Sequence, residues 1–118
     1  MKIIIKKTIE EFVTPSANVF IRQHWAKRRK QKSDWGFLIR RAFGRTRDEV
    51  KKKRKVIVTR VSNRLLDRAN LWLSIDKLII DNLVSQEWLV DDSEKWIDLH
   101  VKQKTGEKKM IIEILEGK

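Results

Sequence analysis

Apolar and polar positions along the chain fall into six blocks. Residues 2–13, "KIIIKKTIEEFV", mix β-branched and charged residues and stop at Thr14-Pro15-Ser16, which predicts a strand. The next block leads into a helix. Its clearest stripe is Trp35, Leu38, Ile39, Ala42 and Phe43, at i, i+3, i+4, i+7 and i+8, with Gly44 as the stop. After a charged connector, "RDEVKKKRK", the run "KVIVTRVS" reads as a strand with Val56, Val58 and Arg60 on one side and Ile57, Thr59 and Val61 on the other. The stretch "LLDRANLWLSIDKLIIDNLVSQEWLVDD" predicts a second helix over roughly 70–86. "WIDLHVKQK" alternates as a half-buried strand does, Thr105-Gly106 makes a turn, and "KKMIIEILE" returns as a last strand. The order is β-α-β-α-β-β. With no repeat and no Pro/Gly-rich linker, it predicts one α+β domain over 1–118, a small mixed four-stranded β-sheet with two main helices packed on it.

The second helix carries a polar stripe. At about 100° per residue, Asn70, Ser74, Lys77 and Asp81 fall within about 60° of one another. Leu71, Trp72, Leu73, Ile75, Leu78, Ile79, Ile80, Leu83 and Val84 fill most of the remaining circumference, so the helix is expected to be largely surrounded by protein. The stripe then faces either bulk water or a polar cleft. Asn and Ser are short and poor helix formers, unlike the long charged residues of most solvated faces.

Charge sharpens the picture. The net charge is +12, and it is segregated. Residues 22–64 hold 17 Lys or Arg against three acids, whereas residues 65–118 hold eight against 11. A polyanion is the natural partner of the basic half, and nucleic acid fits better than a membrane surface, since no basic segment pairs with a clean apolar face. The absence of cysteine excludes disulfides and thiolate metal sites and fits a reducing compartment. The N-terminus lacks the apolar run of a signal peptide, and no segment is long enough to span a bilayer; a soluble, cytoplasmic protein is expected.

Beside this basic half stand Asp67, Asp81 and the pair Asp91-Asp92, clustered in sequence around Lys77. Asp oxygens are hard ligands suited to Mg²⁺, and a lysine near a scissile phosphate offsets developing charge. The alternative readings are structural: Asp67 or Asn70 as a helix N-cap, and Asp91-Asp92 as a turn before the next strand.

"LLDRANL", "KLIIDNL" and "EWLVDD" together resemble the pattern D-x-D-N-L … K-x-x-x-D-A-L … G-x-x-x-D-D of the RusA family of Holliday junction resolvases. "TPSANVFIRQHWAKRRK" resembles that family's P-P-S-x-N … R segment. Four residues are added between Asn70 and Lys77, about one helical turn, so the stripe keeps its facing. The resemblance implies a RusA-like fold and a Mg²⁺-dependent endodeoxyribonuclease (Mn²⁺ as an alternative ion) of the kind common in prophages. Such enzymes are homodimers that bind four-way DNA junctions and nick two strands symmetrically, in recombination and repair. By position it implies Asp67, Asp92 and Lys77 as catalytic, and Asp67, Asp81, Asp91 and Asp92 as the metal site. Asn18, Asn70 and Ser74 are supporting. One departure stands out: Ala69 occupies the place of the family's second carboxylate, so a junction-binding homologue with weak or no cleavage is the alternative.

Arg22, Lys27, Arg28, Arg29, Lys30, Arg60, Arg64 and Arg68 are then the residues expected to hold phosphates, whereas Lys51 to Lys55 are read as solvated. Phe20 and Trp25 are expected in the core or at a dimer contact, with base stacking as the alternative. His24 is read as structural and His100 carries no role. A different class of reading, a small basic RNA-associated protein whose acids are only caps and turns, fails if Asp67, Asp81 and Asp92 converge to metal-bridging distance.

Overall fold

The computed structural model describes residues 2–44 and 52–116. Strands β1 (Lys2–Glu10), β2 (Arg54–Ser62), β3 (Ile97–Thr105) and β4 (Lys109–Glu116) form one mixed sheet in the order β1-β4-β2-β3. β4 pairs antiparallel with both β1 and β2, and β3 lies parallel to β2. The predicted α+β class, strand count and mixed sheet are all present. β1 ends at Glu10 rather than 13 because Glu11 takes a left-handed conformation (φ 71°) and turns the chain off the edge.

The first helical block is two helices. α1 (Ala17–Arg22) is capped by the Ser16 hydroxyl, which accepts from the Val19 amide. α2 (Trp25–Phe43) begins at His24, whose Nδ1 accepts from the Ala26 amide, and stops at Gly44 with φ 66°. α2 buries Trp35, Ile39 and Phe43 of the predicted stripe together with Gly36, while Leu38 and Ala42 of that stripe are partly buried against the core. The second block is a continuous rod of three parts: α3 (Arg68–Ile75), a π-helical turn (Asp76–Ile80) and α4 (Asp81–Ser85). Within it Ile75, Leu78, Ile79, Ile80 and Leu83 are completely buried. They join Val56 and Val58 of β2 and Met110, Ile112 and Ile114 of β4 in a single core. Burying each aliphatic side chain of this kind contributes about 1.5–3 kcal/mol, which is what holds the rod on the sheet.

Two basic positions behave differently from expectation. Arg60 does not reach solvent: its Nε donates to the Thr14 carbonyl and its Nη1 to the Arg64 carbonyl, both at 3.0 Å. It ties the segment after β1 to the end of β2, and burial lowers its pKa from the usual guanidinium value. Arg54, expected to be solvated with its lysine neighbours, is buried. It pairs with Glu116 at 3.0 Å and donates to the Trp88 carbonyl at 2.8 Å. Both lie on β2 at alternate positions with the core residues Val56 and Val58, so their cationic ends are satisfied by carbonyls and a carboxylate rather than by water. Lys51 and most of the connector lie outside the described residues. Among the described residues, no helix is long and apolar enough to cross a membrane.

The end of α4 yields a stability test. The Trp88 amide donates to the Leu83 carbonyl and the Glu87 amide to the Val84 carbonyl, each at 3.0 Å, with Glu87 at φ 67°. This is the reverse-turn cap that normally holds glycine at its left-handed position. Replacing exposed Glu87 by Gly should stabilise the protein by about 1 kcal/mol, read from urea denaturation; a loss of stability would mean that the Glu87 side chain contributes more than its strained backbone costs.

Candidate metal centre and flanking clefts

The π turn determines which side chains meet. In an unbroken α-helix residues five apart point about 140° away from each other. Here the Asp81 amide donates to the Asp76 carbonyl, closing the wider i→i+5 ring, which brings residues 76 and 81 onto the same side. Asp92 reaches them from the loop after α4. That loop is pinned by buried Trp88 and Leu89: the Trp88 indole donates to the Gly44 carbonyl at 2.8 Å and packs edge-on against Phe43. As a result Asp76, Asp81 and Asp92 each present a carboxylate oxygen within 4.8 Å of the others.

The electrostatics match this crowding. Asp76 is half-buried, and its pKa is raised first by desolvation and then by the charges of Asp81 and Asp92. Desolvation also raises Asp81, against the pull of Lys32 and Lys77. Lys32 of α2 stands 4.0 Å from the Asp81 carboxylate. Three hard oxygen donors, two of them strained by like charge, form a donor set suited to Mg²⁺ or Mn²⁺.

The other expected site residues are placed as follows. Asp67 is not among the converging carboxylates. It caps α3, accepting from the Asn70 amide at 3.1 Å and from the Asn70 side chain, and these bonds hold its pKa below the usual range. Asp91 is exposed and its carboxylate accepts from the Asp92 amide at 2.8 Å. The polar stripe splits in two. Asn70 accepts from the Asn18 amide at 3.0 Å, and fully buried Ser74 meets the Thr14 hydroxyl at 3.4 Å and the Leu71 carbonyl at 3.0 Å. These two fasten the 14–18 segment to the rod rather than facing a cleft. Lys77 and Asp81, one turn further on, are the part that reaches the surface.

Asp76 was not reached by sequence reasoning. With a 3.6-residue period it falls about 120° off the stripe, and only the π turn corrects its direction. The one available signal was local: an acid buried in the middle of an apolar run has to be satisfied by something.

Two clefts adjoin the carboxylates and share Leu73. One, of about 690 Å³, is lined by Ala69, Trp72, Asp76, Asp92, Glu94 and Asp98, with Lys53 at its edge. Ala69 thus faces the cleft into which Asp76 and Asp92 project. Across it, Asp98 pairs with His100 at 3.0 Å, and that hydrogen bond lowers the Asp98 pKa. The other cleft, of about 490 Å³, is basic and aromatic, lined by Trp25, Arg28, Arg29, Lys32 and Lys77 over a floor that includes Phe20. Of the expected phosphate-binding residues, Arg22, Lys27, Arg29 and Lys30 of the α1–α2 region are exposed and Arg28 is half-buried. Lys30 pairs with Asp34 at 2.8 Å. Arg64 and Arg68 are exposed, the latter over the Trp72 ring. Compared with known proteins, the chain matches no family model, no curated protein and no solved structure.

The raised carboxyls make a prediction about pH. A group whose pKa is higher in the fold than in the open chain takes up protons on folding. Stability therefore falls as pH rises from the ordinary carboxylate range through the raised value, and stays reduced above it. Asp76→Asn should raise the metal-free melting temperature at pH 7 by roughly 3 °C. The gain should shrink as pH falls through the ordinary Asp range and vanish by about pH 3, where Asp76 is protonated in both states. Mg²⁺ or Mn²⁺ should raise the wild-type melting temperature and have little effect on the variant. Melting curves across pH, with and without metal, test this; a variant destabilised at pH 7 contradicts it.

Proposed function

We propose that this protein is a divalent-metal-dependent endonuclease acting on branched DNA, a RusA-like junction resolvase working as a homodimer, with its metal centre at Asp76, Asp81 and Asp92. The observation that carries this reading is the convergence of three carboxylates beside a basic, aromatic-lined cleft. Acids serving only as caps and turns have no reason to be held together against their own repulsion. A cation bound there would supply polarisation of a phosphate oxygen and activation of a water. The chain's own residues do the rest. Asp76, Asp81 and Asp92 hold the charge in place. Lys77, one residue from Asp76 and exposed on the basic side, faces the phosphate and offsets charge developing on its oxygens. Arg28, Arg29 and Lys32 hold the flanking backbone without reading bases. Asp67 keeps the start of α3 in register.

The reading as a binding protein with little cleavage keeps one specific support, Ala69. The cleft of Asp76 and Asp92 lacks the carboxylate that the resembling family carries there, and each missing anionic ligand weakens Mg²⁺ binding. Asp76 offsets that loss in part.

The decisive assay is nicking of a synthetic four-way junction with and without Mg²⁺ or Mn²⁺. Asp76→Asn and Asp92→Asn should bind the junction like the wild type but nick it about 100-fold more slowly or worse. Asp67→Asn should still nick, because Asn caps a helix as well as Asp does. Loss of nicking in Asp67→Asn with an unchanged melting temperature would instead make Asp67 a ligand. No nicking of any branched DNA in either metal would sink the enzymatic reading.

Ala69→Asp addresses the remaining gap. It places a fourth carboxylate in the cleft and should lower the metal concentration for half-maximal nicking, about tenfold for a ligand contribution of 1.4 kcal/mol. Titrating metal against nicking for both proteins checks it; an unchanged requirement means the three aspartates already saturate the site.

A further inference from the structure

The chain has five tryptophans, and four of them are at least half-buried. Trp35 and Trp88 are in the core, and Trp72 and Trp96 are partly covered. Trp25 is the exception, 59% exposed at the first turn of α2. A large indole left in water is worth explaining when its surroundings are specific. The Arg29 guanidinium lies 5.5 Å over its ring, and the His24 ring stands 5.4 Å away. It lines the basic cleft with Arg28, Arg29, Lys32 and Lys77, and exposed Ile21 adds apolar surface beside it. Lys32 links this cleft to the carboxylates through its ion pair with Asp81. Phe20, the other aromatic of the segment, is only 6% exposed and serves the core.

We infer that the Trp25 cleft is a binding site for an unpaired DNA strand, with a base stacked on the Trp25 ring and its phosphates held by Arg28, Arg29 and Lys32. This rests on the proposed function and adds to it the feature of branched DNA that is recognised. An indole presents a π-face that any base can stack on, so this recognition does not depend on sequence. The surrounding cations suit a phosphate backbone and disfavour a second copy of this basic surface as occupant. A paired duplex keeps its bases stacked inside and offers Trp25 no free face. The stacking site would therefore distinguish strands opened at a branch point from linear duplex, while the cations bind both.

The test is binding measured by fluorescence anisotropy in chelator, so that cleavage plays no part. The probes are a labelled oligothymidylate of about a dozen nucleotides and a linear duplex. Trp25→Ala should lose about tenfold or more in affinity for the single strand and leave duplex affinity unchanged. Trp25→Phe, which keeps an aromatic face, should retain most of the single-strand affinity. Because Trp25 is on the surface, both variants should melt like the wild type. The inference is overturned by unchanged single-strand affinity in Trp25→Ala, or by equal losses on both probes, which would make Trp25 a prop for Arg29. It is also overturned if Trp25→Ala abolishes dimerisation while binding DNA normally. Loss of this site with junction nicking intact removes only the stacking role; the expected binding pattern without nicking in any metal removes only the enzymatic reading.

Discussion

The π-helical turn at Asp76–Ile80, closed by the Asp81 amide on the Asp76 carbonyl, sets the phase of the long helical rod and with it the composition of the site. By closing a five-residue ring it turns Asp76 toward Asp81, and everything C-terminal to it is rotated with it. The same turn lets Leu78, Ile79 and Ile80, three consecutive residues, all be fully buried. An α-helix covers three adjacent positions only when protein surrounds it, and the sheet, α2 and the loop of Trp88 do so here. A π turn is poorer in hydrogen-bond geometry than the helix it interrupts, so the packing of these aliphatic side chains is what keeps it in place. The site is thus held by the core beneath it, which also keeps mutually repelling carboxylates together.

Much of the fold was legible because its elements obey simple periods. β3 alternates, with Ile97 buried and Asp98 exposed, and α2 shows its stripe at helical spacing. β4 shows the same in Met110, Ile112 and Ile114. The site was less legible, and for the complementary reason. Asp81 and Asp92 were found because the stripe and the acidic pair marked them. Asp76 was hidden because its direction depends on an irregularity that no fixed period encodes. Asp67 and Asn70 were ambiguous between cap and ligand, a question decided only by which atoms meet: Asp67 accepts from Asn70, and Asn70 in turn accepts from the Asn18 amide.

The large excess of cations serves two separate purposes. Arg54 and Arg60 are structural: each is buried and satisfies a carbonyl from a distant part of the chain. Arg60 joins the segment after β1 to the segment after β2, while Ser74 grips Thr14 from the rod. Arg54 joins β2 to the loop bearing Asp92 through the Trp88 carbonyl. The cations of α2, by contrast, stand at the surface. Composition counts both groups alike, and only burial separates a charge that binds the protein to itself from one available to a partner.

The strand order has a consequence for assembly. β4 lies between β1 and β2, so β1 has no neighbour until β4 has formed, although seven described elements separate the two strands in sequence. The β3–β4 turn is local and quick to form, but β2 and β3 are parallel and must close a long excursion that carries the whole rod. All three converging carboxylates lie on that excursion. A chain emerging from the ribosome therefore carries every one of these acids before it has a sheet on which to arrange them. The aliphatic residues that hold the rod share one core with Met110, Ile112 and Ile114 of β4, so a chain stopped before β4 has all three acids without the full core that holds them together.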